Sequence, residues 1–196
     1  MYRWEIINLL IAKYKYTSYL EIGVQHRLVN YDKIACHDKY GVDPYPMTDI
    51  NYKMTSDAFF ATLPKDVSFD IVFIDGLHLH EQVIKDINNS LDRLRPNGTI
   101  LVHDTLPLEA KWQERVDNGE FWTGDVWKAI AQLRVERRDL HIQTIDTDFG
   151  ISMIRKRSSV PYIPKEPTYL TWEYYLENRD EMLNVIPPPD LSLIHI

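Results

Sequence analysis

Apolar and polar positions follow one another in two rhythms along the chain, and their succession divides it into helices and strands. Trp4, Ile7, Leu10, Ile11 and Tyr14 recur at helical spacing and predict an opening amphipathic helix over Trp4–Tyr14. Tyr19–Val24 reads as a buried strand, followed by a looser stretch with a short helix around Tyr31–Cys36. Tyr40–Asp43 is a short strand stopped by Pro44 and Pro46, and Lys53–Thr55 is another short strand. Ser56 or Asp57 then suits the N-cap of a helix running through Leu63. The clearest pattern is Phe69–Gly76, whose unbroken apolar run suits a strand covered on both faces. A helix over Glu81–Leu94 follows, with Val83, Ile87, Leu91 and Leu94 on one stripe. Arg95-Pro-Asn-Gly98 reads as a turn, and Thr99–Asp104 as the next strand. The irregular, Trp-containing segment Thr105–Thr123 is long enough to be a functional loop. Asp125 then caps a helix to about Arg137, and His141–Asp146 and Gly150–Arg155 are strands joined by a short turn.

Strands alternating with helices predict an α/β fold, a doubly wound and mainly parallel sheet. The last two strands are too close for a crossover helix, so they form an antiparallel hairpin at one edge. Beyond Lys156 the composition changes, with six of the eleven prolines falling between Pro161 and Pro189. The chain is therefore divided into a domain at 1–157 and a Pro-rich C-terminal arm at 158–196. The arm has one helix around Thr171–Leu183 and packs on the domain or on a partner subunit in a homodimer.

Composition narrows the function classes. The 196 residues include 44% apolar and 26% charged positions, enough for a real core. Twenty-two Lys and Arg stand against 29 Asp and Glu, a net charge of −7. Such a chain is a poor partner for nucleic-acid phosphates or anionic membranes. The longest apolar stretches are far too short to span a bilayer, and the front end has no signal-peptide pattern. A single cysteine, Cys36, excludes an internal disulfide framework and a Cys-rich zinc site, so a reduced, cytoplasmic setting is expected.

Ligands of open α/β sheets bind outside the carboxyl ends of the strands. The residues ending the predicted strands are Glu21-Ile-Gly23, Asp43, Ser56-Asp57, Asp75-Gly76 and His103-Asp104. These acids suit a ligand with a ribose diol, an adenine amino group and a cationic centre. Tyr19-Leu-Glu-Ile-Gly-Val24, Asp43, Thr55-Ser-Asp57 and Phe69–Gly76 resemble the successive motifs of class I S-adenosylmethionine-dependent methyltransferases. Ile74-Asp-Gly-Leu-His78, Leu94–Gly98, Val102-His-Asp104, Trp122–Lys128 and Asp146–Gly150 are most similar to the bacterial branch found near glycan and antibiotic biosynthesis. The resemblance covers roughly Tyr16–Arg155 and implies a seven-stranded Rossmann-like methyltransferase sheet.

It further implies that Glu21, Gly23 and Val24 lie beside the methionine part of S-adenosylmethionine, with Gly23 permitting close backbone approach. Asp43 would accept both ribose hydroxyls, and Ser56 and Asp57 would contact adenine, with Phe59 or Phe60 against its face. Asp75 and Gly76 would close the pocket near the sulfonium. The plain alternative for each residue is a helix cap or a strand-end turn. Family members commonly carry a glycine-rich turn after the first strand, whereas this chain reads Gly23-Val-Gln-His-Arg27. Gln25 or Arg27 could take the cofactor's carboxylate instead, although Arg27 reads more simply as a solvated loop residue.

A hydroxyl acceptor needs a base or a metal. His78 is the first choice of base, with Asp75 and Asp104 as the other catalytic candidates. His80 belongs to the helix start, and strand alternation should turn His103 to the opposite side. Asp75 and Asp104 resemble the Mg²⁺-binding positions of catechol-type and sugar O-methyltransferases, but Thr105 stands where the catechol type has Asn, so metal-free catalysis is favoured. Trp112, Phe121 and Trp122 could wall the acceptor, or simply pack the loop. Asp148-Phe149-Gly150 reads as a turn. The expected activity is methyl transfer to a hydroxyl of a small molecule, a saccharide or other natural product. A nicotinamide-dependent oxidoreductase would need a Gly-x-Gly-x-x-Gly turn that is missing here, and a non-catalytic scaffold has only the thinned glycine turn in its favour.

Overall fold

The structure, a computed structural model, describes residues 1–117, 119 and 121–188. The elements are α1 (Arg3–Tyr14), β1 (Ser18–Ile22), β2 (Asp38–Val42), α2 (Ser56–Thr62), β3 (Phe69–Ile74), α3 (His80–Asp92) and β4 (Leu94–Val102). They continue as α4 (Val126–Glu136), β5 (Leu140–Ile145), β6 (Ile151–Lys156), α5 (Trp172–Met182) and β7 (Val185–Ile186), with 3-10 turns at Tyr31–Lys33 and Ala110–Gln113. The seven strands lie in the order β2-β1-β3-β4-β6-β5-β7. The first four are parallel, β6 runs antiparallel to β4 and β5, and β7 is parallel to β5.

The two-residue pleat sorts the strand residues onto two apolar faces. Leu20, Ile22, Val72, Ile74, Ile100 and Val102 face one core, which α2, α3, α4 and α5 cover with Phe59, Ile87, Trp127 and Tyr175. Tyr19, Ile71, Phe73 and Leu101 face the other, which α1 covers with Ile6, Ile7, Leu10 and Ile11. Helices on both faces give the doubly wound architecture that the apolar strand runs predicted. Among the described residues no helix is long and apolar enough to cross a membrane.

Several local expectations are corrected. Lys53–Thr55 is not a strand; only Tyr52 reaches β2, through a single bridge to Val42. The N-cap of α2 is Thr55, whose hydroxyl accepts the Ala58 N–H at 3.2 Å, so Ser56 and Asp57 are in its first turn. Arg95–Gly98 is a bulge inside β4, where register jumps from Phe69↔Leu94 to Ile71↔Thr99. The β5–β6 hairpin is not at the edge, because β7, from the segment after Lys156, pairs outside β5. That segment also places Tyr175 beside Trp127, ring centres 4.8 Å apart, and its hydroxyl donates to the Pro107 carbonyl at 3.0 Å.

Register positions the site. Ile22 pairs with both Val42 and Ile74, and Ile74 with Val102. The residues following these four, Gly23, Asp43, Asp75 and His103, therefore leave the sheet at one level along its carboxyl edge.

Candidate functional site

A cavity of about 910 Å³ opens at that edge. Its lining includes Glu21, Gly23, Val24, Asp43, Ser56, Asp57, Asp75, Gly76, His78 and Asp104, so the strand-end residues singled out from the sequence share one space.

At one end Asp43 is set by backbone amides. Its Oδ2 accepts the Gln25 N–H at 2.8 Å and its Oδ1 the Tyr45 N–H at 2.7 Å. Nearby, the Gln82 side chain donates to the Ser56 hydroxyl and the Asp57 carboxylate, both at 3.3 Å, and to Asp86 at 3.1 Å. Asp86 was not anticipated. It is buried on α3, burial raises its carboxyl to about 6, and helical spacing alone marks such a position only as a polar residue on an apolar stripe. Phe59 and Phe60 do not reach this end: they pack in the core against Tyr52, Phe69 and each other. Arg27 also stays outside, bound to Asp32 at 2.9 Å and to the Asp49 carbonyl, while Gln25 lines the cavity.

Glu21 forms part of the floor. It is 1% exposed, and its Oε2 accepts from the Tyr19 hydroxyl and from Asn30 Nδ2 at 2.9 Å. Burial, against those two donors, pushes its carboxyl up to about 8. Gly23 has a structural reason of its own. At φ +87 its backbone presses on the end of β3, where a Cβ would stand 2.0 Å from the Asp75 carbonyl oxygen. The close neighbour that demands glycine is the protein itself.

The other end is a cluster of charges. Asp75 Oδ1 faces His103 Nδ1 at 3.2 Å and His78 Nε2 at 3.3 Å, while its Oδ2 accepts from Arg3 Nη1 at 2.6 Å. Asp104 offers Oδ1 to His103 at 3.1 Å and Oδ2 to His78 Nε2 at 3.5 Å. The placement of His103 corrects the alternation argument. Strand β4 ends at Val102 and Asp104 takes the left-handed conformation at φ 58, so the pleat stops and His103 turns into the cluster. Burial works to lower the His103 imidazole, but Asp75 and Asp104 outweigh it and hold it well above its ordinary value. The same balance raises His78, and burial of Asp75 is outweighed by His103, His78 and Arg3, so it lies well below the carboxylate range.

Two members of the cluster were missed. Arg3 comes from the first turn of α1, and Asp148 from the β5–β6 turn that the sequence marked only as a turn. Asp148 accepts from Arg3 Nε at 3.0 Å and from the Arg3 backbone N–H at 2.9 Å. The sequence separation of 145 residues leaves no local signal for this pair.

His80, the first residue of α3, bonds Gln132 of α4 at 2.7 Å, in keeping with a helix-start role. His78 stacks on Trp122, ring centres 5.0 Å apart, and its Nδ1 is buried without a protein partner. Gly124, at φ +58, lets the loop back against His78, since a Cβ there would lie 1.9 Å from the His78 carbonyl oxygen. Phe121, Trp122 and Phe149 line the cavity, while Trp112 supports Phe121 from behind at 4.7 Å.

The implied Mg²⁺ site is testable on the donor set. Asp75, His78 and Asp104 bring ligand atoms within 4.8 Å of one another. Mg²⁺ requires octahedral oxygen coordination. Here the third donor is an imidazole, and Asp75 Oδ2 is held by a guanidinium. Thr105 is buried away from the cluster, accepting from Ser152 at 3.0 Å. The donors do not fit Mg²⁺.

Comparison with known proteins agrees with this geometry. Residues 30–105 match the model of a family described as a methyltransferase domain. No curated protein matches the chain in sequence. Among solved structures, cofactor-bound Rv0187 from MTB is similar at a TM-score of 0.59 and 16% identity, over 79% of each chain. The O-methyltransferase TomG from Streptomyces achromogenes, involved in tomaymycin synthesis and solved with SAM, is similar at 0.57 and 13%, again over 79% of each chain. SAH-bound PaMTH1 from Podospora anserina is similar at 0.56 and 17%, over 78% of this chain and 77% of that one. The chain has the fold of these methyltransferases, and the segment that matches the family model contains Asp43, Asp75, His78 and Asp104.

Proposed function

We propose that the chain is a class I methyltransferase that transfers the methyl group of S-adenosylmethionine to a hydroxyl of a small molecule, a saccharide or other natural product. The observation carrying the reading is the single cavity that joins Asp43, Ser56, Asp57 and Asp86 at one end to Asp75, His78 and Asp104 at the other. Its volume and polar lining suit an adenosyl cofactor with the acceptor beyond it. The solved neighbours crystallised with SAM or SAH support the cofactor.

In this reading Asp43 receives the ribose hydroxyls, with its carboxylate aimed in advance by the two amides that hold it. Ser56, Asp57 and Asp86 face the adenine. Glu21, Gly23, Val24 and Gly76 flank the methionine part, and Glu21 held neutral by burial avoids setting a second anion against its carboxylate. When bound, S-adenosylmethionine supplies a sulfonium methyl carbon open to displacement. His78 acts as base. Asp75, 3.3 Å from its Nε2, and Asp104, 3.5 Å away, stabilise the imidazolium that forms as the ring takes the acceptor's proton. The acceptor oxygen forms the bond to the methyl carbon as the carbon–sulfur bond breaks, giving S-adenosylhomocysteine and a methyl ether. Phe121, Trp122 and Phe149 provide apolar faces on which a sugar or a planar acceptor stacks.

Calorimetric titration with S-adenosylhomocysteine and with NAD tests the assignment. Binding of the first and not the second, lost in Asp43→Ala, supports it. No binding of either in the folded protein overturns it in favour of a scaffold role. Screening of saccharides and natural-product alcohols by mass shift then identifies the acceptor.

A further inference from the structure

Arg3 lies in the cavity wall although it belongs to the first turn of α1, far in sequence from every other member of the cluster. Its guanidinium is gripped from two sides. Nη1 donates to Asp75 Oδ2 at 2.6 Å, while Nε and Nη2 donate to the two oxygens of Asp148 at 3.0 and 3.4 Å. The same Asp148 carboxylate accepts the Arg3 backbone N–H at 2.9 Å, which satisfies one of the free amides at the start of α1. Asp148 and Phe149 both adopt the left-handed conformation, at φ 48 and 60, without being glycine. Two successive residues in that region are costly, and the turn keeps them where they aim one carboxylate at Arg3 and one ring at the acceptor wall.

With Oδ2 taken by Arg3, Asp75 presents only Oδ1 to His78 and His103. We infer that Arg3 is the built-in counter-ion of the Asp75–His78–Asp104 cluster: it fixes the Asp75 carboxylate that orients His78, and it makes the site independent of a divalent cation. Arg3 is a positioning residue in this scheme, acting on the proposed base through Asp75, and its link to methyl transfer rests on the function proposed above. The physical basis is charge and space. Removing the permanently charged guanidinium frees Asp75 Oδ2 and leaves the Asp75 and Asp104 carboxylates, with the His78 imidazole within 4.8 Å and His103 still facing both through their Oδ1 atoms, a donor set that attracts a divalent cation once its competitor is gone.

The test measures Mn²⁺ binding by electron paramagnetic resonance, beside calorimetric titration with S-adenosylhomocysteine, in the full chain. Wild type and Arg3→Lys are expected to leave Mn²⁺ free. Arg3→Ala is expected to bind it at least about tenfold more tightly, the scale of one uncompensated charge pair, and Arg3→Ala/Asp75→Asn to lose that gain. Arg3→Met, which keeps the apolar stem, replaces Arg3→Ala should the latter not fold, and circular dichroism reports folding of each variant. Mn²⁺ binding in wild type that Asp75→Asn abolishes would overturn the inference, as would folded Arg3→Ala and Arg3→Met with no gain. Failure of wild type to bind S-adenosylhomocysteine would instead refute the proposed function, while the Mn²⁺ result would still decide the role of Arg3.

Discussion

Gly23 and Asp75 meet backbone to backbone: the end of β1 rests on the end of β3 with no room between them, a Cβ on Gly23 being 2.0 Å from the Asp75 carbonyl oxygen. This contact ties the residues flanking the proposed cofactor to the carboxylate that organises the charge cluster. Gly23→Ala adds both a clash with main chain and an unfavourable positive φ, and is expected to cost roughly 2–4 kcal/mol of stability. A urea melt checks the loss, and titration of the folded fraction with S-adenosylhomocysteine checks the accompanying loss of binding.

Asp43 should be the most sensitive single position for the cofactor. Removing a carboxylate that receives two hydroxyls forfeits about 1.5–3 kcal/mol for each charge-assisted bond, so Asp43→Ala is expected to weaken S-adenosylhomocysteine binding by roughly a hundredfold or more. The Gln25 and Tyr45 amides that it also serves lie at the surface and can turn to water, so the thermal midpoint should move little.

His78→Gln and Asp104→Asn are expected to separate binding from chemistry. Both lie at the acceptor end of the cavity, so cofactor affinity should stay within about threefold while turnover falls by the roughly 10²–10⁴ typical of a lost general base. Single-turnover assays with an acceptor found by screening provide the check, and unchanged turnover in both variants removes the base from His78.

Much of this arrangement was legible in the sequence because it depends on local pattern. The apolar runs ending at Ile74 and Val102 mark strands covered on both faces, and the polar residues that follow the end of a strand have to emerge at the sheet edge. That reasoning found Asp43, Asp75 and Asp104, and register did the rest. It failed where contacts are long-range or where a strand stops. Arg3 meets Asp148 across nearly the whole chain, and nothing near either residue announces the pairing. His103 was assigned to the wrong side because alternation was carried one residue beyond Val102. Phe59 and Phe60 were drawn to adenine by their neighbours Ser56 and Asp57, whereas their size and apolarity put them in the core. The two-residue strand β7 lies just before prolines, too short for a period to appear.

Glu21 predicts a pH dependence of stability. Its carboxyl is raised from 4.5 to about 8 by burial, so between those values the folded chain holds a proton that the unfolded chain releases. Its contribution is therefore fully present below the unfolded value and is lost as pH rises towards 8, at about 1.4 kcal/mol per pH unit for one proton. Guanidinium melts across pH 5–8 should show this decline in wild type and a flatter profile in Glu21→Gln, which keeps an acceptor for Tyr19.

The grip on Arg3 has a practical corollary. Thr147 donates its hydroxyl to the Met1 carbonyl at 2.7 Å, in the same turn as Asp148, so the first residues of the chain are stitched down beside the charge cluster. A change at Met1 or Thr147 that breaks this bond is expected to loosen Arg3 and, through it, the charge cluster, so cofactor and metal affinities measured on such material would report on a disturbed pocket.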